Sequence, residues 1–166
     1  MGERKVRPFG LRDKVGYLMG DLGNDFTFLF ASGYIMVFYS KVIGISTGLI
    51  GTMFVIARCM DAFTDIGMGR IVDTMGNGGR ERFRPWLLWM CGPVALASFL
   101  MYQVGIRDWP YPARVTYMFV TYILWGSVFY TSINIPYGSM ASVISGDFRH
   151  RSSLSVFRSV GSMAAG

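Results

Sequence analysis

The sequence predicts an all-α integral membrane protein, and three observations indicate this class. Hydrophobic residues make up 52% of the 166 residues, and aromatic residues make up 16%. Only 16% of the residues are charged and the mean hydropathy is +0.38, which is too apolar for a typical water-soluble domain. Several apolar stretches also reach the roughly 20 residues that a helix needs to cross a bilayer. We therefore expect several transmembrane helices.

The apolar stretches predict four complete transmembrane helices and the beginning of a fifth. A basic, polar segment precedes the first span without a short apolar region or a cleavage site, so we expect that span to stay in the membrane. The last stretch holds about 14 residues before the sequence stops, which is too few to cross. We therefore expect a cytoplasmic tail over 1–16 and a truncated N-terminal helical bundle over 17–166, with helices at about 17–42, 46–72, 85–106 and 115–144 and an incomplete helix at 153–166.

Basic residues predict the orientation of these spans. Arginine and lysine are concentrated before the first span and in the loops 73–84 and 145–152, whereas the opposite loops hold few. By the positive-inside rule, these basic segments are cytoplasmic. We therefore expect a multi-pass protein of the cell (inner) membrane that contacts the lipid bilayer, with its N-terminus in the cytoplasm. The net charge of +6 follows from this topology and requires no nucleic-acid partner.

The second span carries ionisable residues that a lipid-facing helix would exclude. Asp61 and Asp65 lie four residues apart, and therefore on one helix face, and Arg58 lies one turn before Asp61 on the same face. An ionised side chain at mid-membrane costs at least about 2.5–3.5 kcal/mol, so this stripe must face protein, water or another charge. A structural pairing of Arg58 with Asp61 is the alternative to a functional role.

Two further spans carry polar faces. Asp21 and Asp25 repeat the spacing of four in the first span, and Thr131 and Asn134 share a face of the fourth. Arg158 lies in the fifth stretch. Carboxylates can hold Na⁺ or a proton, and the other groups suit a polyhydroxylated solute, so the pattern predicts a transport site. For Asp21 a structural role is equally compatible with its place nearer the start of the helix.

Four segments together resemble the glycoside-pentoside-hexuronide:cation symporters, a branch of the major facilitator superfamily that includes the melibiose carrier. The segments are GYLMGDLGNDFTF, ARCMDAFTDIGMGRIVD, GRERFRPWLL and VTYILWGSVFYTSINIPYGSM, and the resemblance covers the chain from about Tyr17 onward. It implies the N-terminal part of a major facilitator fold, and secondary active transport of a sugar or glycoside coupled to Na⁺ or H⁺. It also implies no enzyme activity, no cofactor beyond the coupling cation, and a missing C-terminal half as partner.

The same resemblance implies roles for individual residues. It places Asp25, Asn134 and Arg158 in substrate binding, although the melibiose carrier has an aspartate at the position of Asn134; the segment NIPYGS is familiar from other sugar symporters of the family. Gly138 likewise replaces a sugar-stacking tryptophan, so the sugar stays open. It places Asp61, Asp65 and Thr131 in the cation site, with Thr64 beside them where the melibiose carrier has an asparagine, which leaves the choice between Na⁺ and H⁺ open. Gating or structural roles are expected for Arg58, Asp73, Arg80, Arg82 and Arg84.

Two alternatives to a working symporter stay open at this point. The pairs Asp21/Asp25 and Asp61/Asp65 could be the Mg²⁺ boxes of an intramembrane prenyltransferase-like enzyme, with Arg58 on a diphosphate, although such enzymes show longer acidic boxes. The chain could also be a non-functional truncated product. The sequence contains no Ser/His/Asp or Cys/His constellation. Cys59 and Cys91 fall in apolar spans, where we expect buried, reduced thiols and no metal site.

Overall fold

A computed structural model describes residues 9–75 and 80–165, which form helices joined by short loops, with no strand in these two ranges. The side chains of residues 75–82 lie outside the described part, and with them the roles predicted for Arg80 and Arg82. The helices are α1 (Leu11–Val37, continued by a π-helical turn over Phe38–Val42), α2 (Thr47–Met75), α3 (Arg80–Met101), α4 (Tyr111–Ile144) and α5 (Phe148–Ala165).

Four of these helices, α1, α3, α4 and α5, begin earlier than the apolar pattern predicts, and local capping extends three of them. α1 begins at Leu11, where the Asp13 carboxylate accepts a hydrogen bond from the Gly10 amide at 3.1 Å and closes the first turn. α4 begins directly after Pro110. The fixed φ angles of Pro110 and Pro112 suit the start of a helix. At the start of α5, the Asp147 carboxylate accepts from the Arg149 amide at 2.8 Å. The division into a tail over 1–16 and a bundle stays a prediction.

Helix α4 is continuous over 34 residues but changes geometry near its middle. It is α-helical over Tyr111–Ile123, π-helical over Leu124–Tyr130, and α-helical again over Thr131–Ile144. A π-helical turn accommodates an additional residue and is frequent at functional positions. Pro136 follows inside the second α-helical part and is buried.

Contacts between α2 and α4 show that these two helices run in the same direction. Asp61 contacts Ser127, and one turn further along both helices Asp65 contacts Thr131. Residue numbers therefore rise in the same direction along α2 and α4. Two even-numbered helices of a chain that crosses a membrane repeatedly must be parallel in this way. The contacts therefore agree with the predicted multi-pass topology.

Helix α1 runs antiparallel to α4. Its Tyr17 packs on Tyr137, and its Asn24 bonds Tyr130. Residue numbers therefore rise along α1 as they fall along α4. Helices α1 and α5 run parallel to each other. Near their starts Phe9 stacks on His150, and further along both helices Leu18 approaches Gly161.

Two helices in the described part of the chain are long and apolar enough to cross a membrane by length and composition, Phe83–Met101 and Tyr111–Ile144. α1 and α2, with 27 and 29 residues, exceed the length that a crossing requires. Both carry the paired aspartates near the middle, which lowers their hydropathy. Length and direction thus suit four crossings, while composition alone indicates two.

The largest hydrophobic core lies at the end of the bundle that contains the α1–α2 and α3–α4 loops. Ile35 and Tyr39 from α1 pack there with residues of α2, α3 and α4, and the Tyr39 hydroxyl donates to the Met101 carbonyl at 2.7 Å. Arg114 of α4 holds the α1–α2 loop by donating to the Ile43 carbonyl at 2.6 Å. The following Gly44 has φ of +78°, a left-handed conformation that favours glycine.

The expected burial of the two cysteines is wrong. Cys59 on α2 and Cys91 on α3 are both exposed on the surface of the bundle. Large apolar side chains share this surface, such as Phe63 and Leu88, at 74% and 67% exposure. A stretch that is apolar on every side does not reveal which face packs on protein, because lipid accepts the same residues.

Candidate ion and solute site

Two carboxylates of α2 meet two hydroxyls of α4 at the middle of the bundle. Ser127 donates a hydrogen bond to Asp61 Oδ1 at 2.5 Å, and Thr131 donates to Asp65 Oδ1 at 3.2 Å. Both hydroxyl residues are buried, with exposures of 1% and 7%. Asp61 and Asp65 follow one another by one helical turn, so the four side chains form a column of oxygen atoms between the helices. Hard cations such as Na⁺ bind to oxygen ligands of this kind.

The remaining α2 residues that the sequence singled out surround this column. Arg58 Nη1 lies 3.4 Å from Asp61 Oδ2, with side-chain exposures of 72% and 25%. The Thr64 hydroxyl bonds backbone carbonyls of its own helix, those of Met60 and Asp61, both at 3.1 Å. In this conformation Thr64 is beside the carboxylates without contacting them.

The π-helical turn of α4 positions the two hydroxyls. Ser127 lies inside the turn and Thr131 follows it directly. The Thr131 hydroxyl also lies 3.3 Å from the carbonyl oxygen of Gly126, five residues earlier, which the wider turn leaves within reach. One side chain thus joins the backbone of the turn to a carboxylate of α2.

A second polar group joins α1 to α5. Arg158 Nε donates to Asp21 Oδ1 at 3.0 Å, and Asp21 is 1% exposed. The Asp21 Oδ2 atom is buried and has no hydrogen-bond partner. Arg158 is 42% exposed, so the rest of its guanidinium reaches open space beside Gly138, whose added Cβ would lie 3.9 Å from Arg158 Nη1. A buried carboxylate therefore holds an arginine that can still bind another molecule.

The other predicted substrate residues, Asp25 and Asn134, do not bond to this pair. Asp25 and Asn134 are half-buried, and neither has a hydrogen-bond partner within the described residues. Asp25 lies within electrostatic range of Asp21 and of the Tyr130 hydroxyl. Asn24, next to Asp25, donates to that hydroxyl at 3.1 Å. Asp25 and Asn134 therefore present polar groups that make no hydrogen bond within the described residues.

Two stacked tyrosines close the cluster on the side towards the start of α1. Tyr17 and Tyr137 have ring centroids 4.6 Å apart, and each hydroxyl donates to the other residue's carbonyl oxygen. Arg158 lies over the Tyr137 ring at 5.8 Å. The ring also fills the space above Gly20, where an added Cβ would approach it to 2.8 Å. α1 and α4 are therefore in close contact directly beside the Asp21–Arg158 pair.

The spacing of polar residues in the sequence predicted most of these site residues, but not all of them. The structure brings Asp61, Asp65 and Thr131 together. It pairs Arg158 with Asp21, which the sequence left between a structural and a functional role. Ser127 was missed; its signal was the spacing of four from Thr131, which matches the spacing of the two aspartates opposite. Asp73 and Arg84 are exposed, and Arg84 lines a cavity together with Tyr17, Gly20 and Tyr137.

Helices that alternate in direction and gather charged and hydroxyl side chains at half depth are the architecture of a secondary transporter domain. The sequence model of the family described as "MFS/sugar transport protein" matches residues 16–166. The chain belongs to this family and is a membrane protein.

Curated relatives agree with this assignment. The chain is 35% identical over 149 residues to a "Glucuronide carrier protein homolog" of Escherichia coli strain K12, covering 90% of this chain and 32% of the relative. It is 36% identical over 163 residues to the "Inner membrane symporter YicJ" of the same strain, covering 98% and 34%. It is 33% identical over 147 residues to the "Isoprimeverose transporter" of Lactiplantibacillus pentosus, covering 88% and 30%. The chain thus spans about a third of the length of the curated relatives it matches.

The family assignment favours transport over the enzyme alternative, because the family and these relatives are transport proteins. The geometry agrees with it. Within the described residues, the two aspartate pairs do not gather into one cluster of acidic side chains. Asp21 moreover binds Arg158 instead of facing the aspartates of α2.

Proposed function

We propose that this chain forms the N-terminal part of a symporter that moves a sugar or glycoside together with a cation across the cell membrane. The observation that carries the proposal is the oxygen column between α2 and α4, in which Ser127 and Thr131 face Asp61 and Asp65. Ionisable groups inside membrane spans are costly and are usually functional. The coupling ion is Na⁺ or H⁺, and either would reduce the repulsion between the two carboxylates.

The sugar is proposed to bind beside this column, between α1, α4 and α5. Asp25 and Asn134 would form hydrogen bonds with sugar hydroxyls, because neither has a hydrogen-bond partner in the described residues. The exposed part of Arg158 would bind a further hydroxyl or an acidic group of the sugar. Relatives named for a glucuronide and for isoprimeverose support a sugar or glycoside as the substrate class.

Coupling follows from linkage between the two sites. If the cation orders the α2–α4 column, and α4 also carries Asn134, then the bound cation and the bound sugar raise each other's affinity by the same factor. A transporter of this superfamily binds its substrate between two repeats that move against each other. We therefore propose that the site is completed by a C-terminal half, and that Asp73 and the arginines of the α2–α3 loop contribute to gating.

Sugar uptake by cells tests the proposal. We would express the 166-residue chain, and the same chain extended to the reading frame that continues past Gly166, here called the extended protein. Uptake of radiolabelled glycosides would be measured while Na⁺ and pH are varied. We expect cation-stimulated uptake by the extended protein, and a loss of at least about tenfold in that stimulation for Asp61→Asn and for Asp65→Asn, because each removes a cation ligand.

Arg107→Gln serves as the control, since this exposed residue lies in the α3–α4 connection. Normal stimulation in both aspartate variants would refute the proposed cation site. Absence of uptake by the extended protein across a broad glycoside panel would refute the substrate class. Uptake by the 166-residue chain alone would refute the need for a C-terminal half.

A further inference from the structure

We infer that Ser127 is a positioning residue of the cation site, which holds the Asp61 carboxylate towards α4 against the pull of Arg58. The inference rests on the proposed function and adds a residue that the family resemblance did not include. Its basis is that the two oxygen atoms of one carboxylate have partners on different helices. Asp61 Oδ1 accepts from Ser127 of α4 at 2.5 Å, whereas Oδ2 lies 3.4 Å from Arg58 Nη1 of its own helix.

The Ser127 hydroxyl departs from the usual behaviour of a hydroxyl within a helix. Serine and threonine side chains in helices commonly bond a carbonyl one turn earlier, as the Ser132 hydroxyl bonds the Val128 carbonyl at 2.6 Å. Ser127 instead donates to α2, and within the described residues this is the one hydrogen bond that its hydroxyl makes. Ser127 is 1% exposed, so water outside the bundle does not replace Asp61 as its partner.

Arg58 draws the same carboxylate in another direction. Arg58 lies one turn before Asp61 on α2, and Asp65 lies one turn after it. An Asp61 side chain that turns towards Arg58 therefore moves away from Asp65. The Arg58 side chain is 72% exposed, so few neighbours restrain it from closing on the carboxylate.

The affinity for a metal ion depends on which partner holds Asp61. Hard metal ions bind several oxygen atoms at defined distances, and the groups that hydrogen-bond a ligating carboxylate fix its direction. Thr131 of α4 holds Asp65 Oδ1 at 3.2 Å, so both carboxylates are held by the same helix. Loss of the Ser127 hydroxyl releases Asp61 alone. Arg58 then competes with the metal ion for this carboxylate.

The π-helical turn explains why a hydroxyl reaches this position. An α-helix rotates by about 100° per residue, so the additional residue of the turn changes the direction of side chains on one side of it relative to the other. Within this geometry Ser127 and Thr131 both point to α2, each at one aspartate. The turn over Leu124–Tyr130 therefore supplies both hydroxyls that hold the carboxylates.

The test measures Na⁺ binding by the extended protein and its variants. Ser127→Ala removes the hydroxyl, Arg58→Gln removes the competing charge, and a double variant carries both changes. Ser132→Ala is the matched control, because the Ser132 hydroxyl lies on the same helix and bonds a backbone carbonyl. Na⁺ dissociation constants are measured by calorimetry on purified protein without sugar, at one fixed pH. Sugar uptake at saturating Na⁺ and thermal unfolding are measured beside them.

For Ser127→Ala we expect the Na⁺ dissociation constant to rise about tenfold. Maximal uptake at saturating Na⁺ and the unfolding temperature should stay near the wild-type values. In the Arg58→Gln background, the same substitution should weaken Na⁺ binding by no more than about twofold, because no arginine is left to draw the carboxylate away. Ser132→Ala should bind Na⁺ like the wild type. If Ser127→Ala does not fold, Ser127→Cys takes its place, since a thiol is of similar size and a weak donor.

A tenfold loss of affinity in both backgrounds would overturn the inference, because Ser127 would then act independently of Arg58. Unchanged Na⁺ binding in Ser127→Ala, or an equal loss in Ser132→Ala, would overturn it as well. A wild-type protein that binds no Na⁺ but takes up sugar with protons would also overturn it and would leave the proposed symport intact. Stimulation of uptake by neither cation would instead contradict the proposed function itself.

Discussion

Asp21 is the residue whose environment departs most from that of a typical membrane span. It is a carboxylate at 1% exposure, and its one ion-pair partner is Arg158, which is half exposed. Removing one member of such a pair leaves the other charge uncompensated, which costs more than the pair contributes. We interpret Asp21 as the positioning residue that fixes the direction of Arg158.

We expect Asp21→Asn to weaken sugar binding by the extended protein about tenfold, equivalent to about 1.4 kcal/mol. The amide keeps the shape but loses the charge that holds Arg158, so Arg158 samples other orientations. The measurement is the sugar dissociation constant at saturating cation, together with the cation affinity in the absence of sugar, which should be unchanged because Asp61 and Asp65 are intact.

A double substitution separates this positioning role from a direct one. If Asp21 acts through Arg158, Asp21→Asn combined with Arg158→Ala should bind sugar no more weakly than Arg158→Ala alone. Additive losses in the double variant would instead mean that Asp21 contacts the sugar itself, for example through its unpartnered Oδ2 atom.

At the scale of the element, close contact between α1 and α4 depends on one glycine. The spacing of Gly16, Gly20 and Gly23 indicates a small-residue helix face. Of these, only Gly20 lies against another helix, whereas added Cβ atoms at Gly16 and Gly23 would meet nothing within 4 Å. The Tyr137 ring above Gly20 cannot easily move, because it stacks on Tyr17 and its hydroxyl is bonded to the Tyr17 carbonyl.

We therefore expect Gly20→Ala to destabilise the protein by about 1–3 kcal/mol through overpacking, reduced by the higher helix propensity of alanine, about 0.5–1 kcal/mol. Gly16→Ala is the matched control on the same helix and should be neutral or stabilising. The measurement is thermal unfolding of the extended protein in detergent. Equal unfolding temperatures for the two variants would show that α1 and α4 do not touch at Gly20.

The π-helical turn of α4 belongs to the same scale. Apolar periodicity predicts an apolar helix over residues 115–144, and the structure contains one continuous helix there. Periodicity does not predict the π-helical turn, because several apolar residues surround it. Every side of the helix is therefore hydrophobic in the sequence pattern. Its presence follows from the contacts that it permits with α2.

At the scale of the whole molecule, alternating helix directions place the two ends of the bundle on opposite sides of the membrane. One end holds the α1–α2 and α3–α4 loops, and the other holds the start of α1 and the α4–α5 loop. The basic residues are concentrated at the second end, so we propose that this end is cytoplasmic.

Cysteine labelling tests that orientation. In the extended protein with Cys59→Ala and Cys91→Ala, a membrane-impermeant maleimide applied to intact cells should label Asp108→Cys and should not label Ser152→Cys, both at exposed positions. Labelling of both after the membrane is permeabilised controls for expression. The reverse pattern would place the N-terminus outside.

The sequence by itself determined the class of protein, the approximate spans, and the helix faces that carry the charges. These properties are local: hydropathy over about 20 residues and a spacing of four do not depend on neighbouring helices. The tertiary structure alone decided that Arg158 pairs with Asp21, that Ser127 reaches Asp61, and that the cysteines lie on the surface. Such pairings depend on the depth and rotation of one helix relative to another. Packing around Gly20 and the π-helical turn set these two quantities, and an apolar pattern that satisfies lipid and protein equally cannot specify them.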